Sequence, residues 1–72
     1  MNKEENIVKF LKTKYKKKIS LDTKIFLVLD IDSLEFVKLV RKFEILLKKK
    51  YKPSTNQEIL NLSLKKFLIY FK

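Results

Sequence analysis

The chain has no cysteine, no histidine and no glycine, and only one proline. Each absence excludes something. Without cysteine there is no disulfide framework and no thiolate nucleophile, and without cysteine and histidine the usual soft and imidazole metal ligands are missing. Zinc sites and histidine-based triads are excluded, and no residue is expected to be catalytic or to hold a metal. Long apolar runs are lacking too. The longest, "IFLVL" at 25–29 and "FLIYF" at 67–71, fall far short of the roughly 20 residues that cross a bilayer. The first ten residues, "MNKEENIVKF", lack the apolar stretch of a secretory signal, so a cytoplasmic, soluble, monomeric protein is expected.

At 72 residues the chain has room for one domain, spanning residues 1–72, whose small core gives marginal stability unless its helices pack well or a partner helps. Charge is its loudest feature: 18 Lys and Arg against 8 Asp and Glu, a formal net charge of +10. Such a balance points to nucleic acid, an anionic membrane or an acidic protein partner. It also arises when a coding sequence drifts toward A and T, and Arg41 is the only arginine among many lysines. Phosphate readers lean on arginine forks, and having only one weighs against nucleic acid.

The pattern is that of helices joined by loops. Asn2 is placed to cap a first helix with Glu5 reaching back, and Ile7, Val8, Leu11 and Tyr15 then share one face. From Lys16 to Asp32 the period is lost, which predicts a long loop with room for one short helical turn. Ile19, Leu21, Ile25 and Leu29 are expected to pin it to the core, because so long an unanchored loop is uncommon.

Periodicity returns at Ser33. At about 100° per residue, Phe36, Leu39, Val40, Phe43, Leu46 and Leu47 fall on one side, and Lys38, Arg41, Lys42 and Lys49 on the other. Asp32 or Ser33 caps this helix, with Glu35 as the capping-box acid if Asp32 is the cap. "KKKYKPS" at 48–54 ends it, since Pro53 blocks continuation. A short helix from Ser54 to about Leu60 and a last one from about Ser63, burying Leu64, Phe67, Leu68 and Phe71, complete the expectation. The fold class is therefore all-α: a small bundle of three main helices plus one short helix, with a long loop between the first and second helices. Leu34 and Ile45 lie on the charged side of the second long helix, so a contact strip for a partner is expected there, formed by Leu34, Val37, Lys38, Arg41, Lys42 and Ile45. Incidental exposure is the plainer alternative.

The stretch "LDIDSLEFVKLVRKFEILL", residues 29–47, resembles the signature of the acyl carrier protein family, in which D-S-L opens the second helix. Asp32, Ser33 and Leu34 match the motif, and Val37, Leu39, Val40, Phe43, Glu44 and Leu47 stand where the family places its V, L, V, L, E and F. Leu29 matches the leucine ahead of the motif. The loop before it, the proline after it and a final helix ending in the aromatic Tyr70 extend the likeness over nearly the whole chain.

The resemblance implies that Ser33 is an attachment site for 4′-phosphopantetheine, transferred from coenzyme A by a separate phosphopantetheinyl transferase, and that the arm's thiol carries acyl groups as thioesters. Asp32 and Leu34 flank that site, and Asp32 would help a transferase place magnesium or orient the hydroxyl. The carrier itself is not an enzyme: its partners are the transferase and the enzymes that load and process the acyl group. Two departures bear on the reading. Asp30 stands where glycine is common, and residues 34–52 carry seven cations (Lys38, Arg41, Lys42, Lys48, Lys49, Lys50, Lys52) and two acids (Glu35, Glu44), whereas the family's recognition helix is acidic. The expected partners therefore present acidic docking faces, in a dedicated lipid or secondary-metabolite pathway. A carrier of aminoacyl or peptidyl groups and a small basic nucleic-acid-binding helical protein are the alternatives. The second explains the charge but offers no aromatic stacking platform and no helix dense in Arg, Asn or Gln.

Overall fold

A helix with a regular apolar stripe has to bury it, and the two strongest stripes in the chain do so against each other. The computed structural model describes residues 3–53 and 59–72. Its first helix, α1 (Lys3–Tyr15), buries Ile7 and Leu11, one turn apart, while Val8, Phe10 and Tyr15 are half-buried beside them. Glu4 and Glu5 in its first turn and Lys12 and Lys14 in its last suit the helix dipole. The expected cap at Asn2 lies outside the described residues.

The loop contains the anticipated single turn, α2 (Ile25–Val28), and Ile19, Ile25 and Leu29 are buried with Leu21 half-buried, so this segment is pinned as expected. The long helix α3 (Ser33–Leu47) buries Leu39, Phe43 and Leu47 and half-buries Phe36, Val40 and Leu46, the face predicted from the period. α1 and α3 run antiparallel. Lys3 Nζ donates to the Leu47 carbonyl at 3.1 Å at one end of the pair, and Tyr15 donates to Glu35 at the other.

Having no glycine, the chain ends both long helices on lysine in the left-handed region, Lys16 at φ 54° and Lys48 at φ 56°. Lys16 N–H returns to the Lys12 carbonyl at 2.8 Å, and Lys48 and Lys49 N–H both return to that of Glu44. Open helix carbonyls are satisfied by these bonds, at the cost of a Cβ in a crowded conformation.

The last part of the chain departs from the sequence-based expectation. The short helix expected from Ser54 to about Leu60 falls mostly outside the described residues, and Ile59–Asn61 form one 3-10 turn. The final helix, α4 (Leu64–Leu68), has only five residues, so of three expected main helices two are long and the third is a stub, with Tyr70 beyond its end. All four N–H groups at its start are nonetheless satisfied: Leu64 and Lys65 donate to the loop carbonyls of Thr23 and Leu21, Lys66 to Ser63 Oγ, and Phe67 to the Ser63 carbonyl. α4 is thus built onto the long loop. After it Ile69 and Tyr70 form a turn, and an isolated antiparallel bridge pairs Tyr51 with Phe71, flanked by Lys52 N–H to the Tyr70 carbonyl at 2.7 Å and Lys72 N–H to the Lys50 carbonyl at 2.8 Å. That pairing replaces the remainder of the helix.

Phe67 sits at the centre of the core, fully buried, its ring 4.9 Å from Phe26, 5.4 Å from Tyr51, 5.4 Å from Phe71 and 6.0 Å from Phe43 between centroids. Edge-to-face and tilted pairs of this kind add to the area they bury. Buried side chains from every helix join one core, so the molecule is a small all-α fold. Among the described residues no helix is long and apolar enough to cross a membrane.

Candidate functional site

Ser33 is the first residue of α3, and Asp32 is the cap that places it there. Asp32 is extended, its Oδ1 accepts the Glu35 N–H at 2.8 Å, and its carbonyl accepts that of Phe36 at 2.9 Å. Those two bonds hold the first turn. Among the described residues the N–H groups of Ser33 and Leu34 have no partner, at the positive end of a 15-residue helix. The Ser33 side chain is exposed, and among the described residues its hydroxyl has no hydrogen-bond partner. Among the described residues no base is hydrogen-bonded to it, so the serine is accessible without being activated there.

Glu35 does not act as the capping-box acid. Its carboxylate turns to α1, where Oε2 accepts the Tyr15 hydroxyl at 3.3 Å and lies 3.7 Å from Lys14 Nζ. Burial, the Glu35 charge and this hydrogen bond, in that order, push the Tyr15 phenol up from 10.0 to about 12. The capping box fails because Glu35 finds a cation and a phenol on the neighbouring helix, contacts that a local motif cannot anticipate.

Beside Ser33 lies a groove of about 390 Å³ lined by Asp32 and Ser33 and by the apolar side chains of Phe26, Ile31, Phe36, Val37, Ile59 and Leu60. It is assembled from α2, the start of α3 and the 3-10 turn. The expected contact strip runs along α3 on the solvent side: Leu34 is 74% and Ile45 70% exposed, and Val37, Lys38 and Arg41 are exposed with them. Lys42 is exposed as well, yet its ammonium lies 5.5 Å from the centre of the Phe10 ring, at the α1 edge of the strip.

Exposed apolar residues that the sequence reading did not single out are Leu27 and Val28 of α2, Leu60 and Ile69. The run "IFLVL" carried the missing signal. One helical turn lying on a core hides about half its side chains, and Ile25 and Phe26 take the inner places. Among the described residues no group of acidic side chains could hold a metal ion.

No protein-family model matches the chain, and neither a curated protein nor a solved structure matches it.

Proposed function

We propose that the chain is a carrier protein in which Ser33 receives 4′-phosphopantetheine and presents acyl groups to partner enzymes. One observation carries the reading: an exposed serine hydroxyl, with no partner among the described residues, opens a capped helix beside an apolar groove. A hydroxyl in that position suits modification by another enzyme better than catalysis, since a catalytic serine needs a base within reach. The bond formed is the Ser33 Oγ–phosphorus bond of a phosphodiester, the bond broken is the phosphorus–oxygen bond in the pyrophosphate of coenzyme A, adenosine 3′,5′-bisphosphate departs with that oxygen, and the serine proton leaves to a base on the transferase.

The residues present fit such an arm. The free N–H groups of Ser33 and Leu34 and the helix dipole favour a permanent negative charge at this point. Asp32 keeps one carboxylate oxygen beyond the capping bond, which suits a magnesium ion brought by the transferase. The arm supplies a thiol on which an acyl group is held as a thioester. The apolar groove favours an acyl chain over a polar aminoacyl group, because apolar surface leaves water at a gain of about 25 cal/mol per Å².

The exposed strip of Leu34, Val37, Lys38, Arg41 and Ile45 is the surface on which loading and processing enzymes dock, with acidic faces opposite the cations. The protein is cytoplasmic in this reading, where coenzyme A and the transferase meet it.

The test is intact mass after incubation with coenzyme A, magnesium and a broad-specificity phosphopantetheinyl transferase. Wild type gains one phosphopantetheine, and Ser33→Ala gains none. Wild type left unmodified by several transferases sinks the reading, and modification at Ser20, Ser54 or Ser63 sinks the assignment of the site.

A further inference from the structure

A second concavity opens at the opposite end of α3 from Ser33. Its volume is about 700 Å³, and Arg41, Lys48, Lys49, Lys50 and Lys72 line it with Ile45 and one carboxylate, Glu44. That carboxylate is already engaged, since its Oε2 accepts the Tyr51 N–H at 2.9 Å. None of the five cations has an ion-pair partner among the described residues. Like charges gathered in one concavity repel, and its walls concentrate their field toward an incoming anion.

The backbone holds this arrangement in place. The left-handed cap at Lys48 turns the chain, the Glu44 carbonyl takes two N–H groups there, and the Tyr51–Phe71 bridge with the Lys72–Lys50 hydrogen bond fixes the opposite wall. A tied backbone spares the cost of ordering the main chain when a ligand arrives, which leaves only the side chains to be ordered.

Its position matters as much as its charge. Ser33, Val37, Arg41, Glu44 and Lys48 are spaced by four, four, three and four residues, and such residues share one side of a helix. Ser33 and Val37 line the apolar groove, and Arg41, Glu44 and Lys48 line the basic cleft. At a rise of 1.5 Å per residue Ser33 and Lys48 are about 22 Å apart along this side, and Val37 of the groove and Arg41 of the cleft only about 6 Å, so one partner laid along the helix reaches both sites.

We propose that the basic cleft is a docking site for an acidic amphipathic segment of the enzyme that works on the carrier, its carboxylates meeting Arg41 and the lysines and an apolar side chain meeting Ile45. The proposal rests on the carrier reading for what the partner does, whereas the binding itself does not need Ser33. A protein segment fits better than nucleic acid, because the lining has an exposed isoleucine, a single arginine fork and no aromatic ring for a base to stack on. A recessed site fits a side-chain-bearing segment better than the flat face of an anionic bilayer.

The test is a nuclear magnetic resonance titration of the unmodified chain with a synthetic amphipathic peptide of glutamate, leucine and alanine, with oligo-dT and pure phosphatidylglycerol vesicles in parallel arms. Shifts are expected to centre on residues 44–50 and on Lys72. Lys49→Glu with Lys50→Glu weakens peptide binding by about tenfold or more, and the same charge change at exposed Lys17 and Lys18 weakens it by less than about twofold. Shifts spread over all lysines, equal losses in the two double variants, or tighter binding of oligo-dT or vesicles overturn the proposal. Ser33→Ala separates the two readings. If no serine takes the arm but the peptide still maps to the cleft, the carrier reading falls and the docking site stands; the reverse result removes only the docking site.

Discussion

Tyr15 and Glu35 meet across the antiparallel pair of long helices, the phenol donating to Oε2 at 3.3 Å. The contact ties the end of α1 to the first turn of α3, two residues from Ser33, and it draws Glu35 away from the capping-box role. Folding raises the Tyr15 pKa to about 12, so the folded chain holds this proton more tightly than the unfolded one. The associated stability is complete below pH 10.0 and is lost as pH climbs through about 12. The check is a comparison: in ultraviolet absorbance titrations Glu35→Gln moves the latest tyrosine ionisation part of the way back toward 10.0. Overlaying curves for the two proteins count against the contact.

Phe43 tests the phase of α3. It is fully buried, its ring 6.0 Å from Phe67 and 5.9 Å from Phe71. Phe43→Ala is expected to destabilise by about 3–5 kcal/mol, enough to unfold many small domains. Lys42→Ala, one residue away on the solvent side, costs less than about 1 kcal/mol. Thermal melts in which the two variants behave alike refute the assigned inner face.

The left-handed lysines carry a different prediction. At Lys16, φ 54° is unfavourable for any residue with a Cβ, and glycine removes that cost while adding freedom to the unfolded chain. Lys16→Gly is expected to stabilise by about 0.5–1 kcal/mol net, whereas Lys16→Ala gives no comparable gain. Urea midpoints measured side by side decide it, and a lower midpoint for the glycine variant contradicts the helix end described here.

Charge reversal on the strip addresses the partner. If the chain is a carrier as proposed, Lys38→Glu with Lys42→Glu is expected to slow acyl loading by its partner enzyme, with the loss falling on the association rate and fading as salt shortens the screening length from about 30 Å at 0.01 M to about 10 Å at 0.1 M. Singly, Lys38→Glu has the larger effect, because the Lys42 ammonium is drawn over Phe10. Stopped-flow loading at low salt measures both. Rates unchanged by the double reversal mean that the partner reads only the apolar strip and the arm.

What the sequence determined by itself is what depends on neighbours a few residues apart. The inner faces of α1 and α3, a cap at Asp32 or Ser33, the pinning of the loop by Ile19, Ile25 and Leu29, and the exposure of Leu34 and Ile45 all follow from helical period or local hydrogen bonding. Position 33 was legible as a helix start for the same reason. Only the tertiary structure decided which distant groups meet. Glu35 chose Tyr15 and Lys14 over its own helix end, α4 stopped after five residues as the following chain paired with Tyr51, and the apolar groove formed where Phe26, Val37 and Leu60 converge. The basic cleft exists because Lys50 and Lys72 are brought together across that pairing. Such contacts are set by backbone hydrogen bonds and packing between segments far apart in the chain, and no residue in either segment announces its partner.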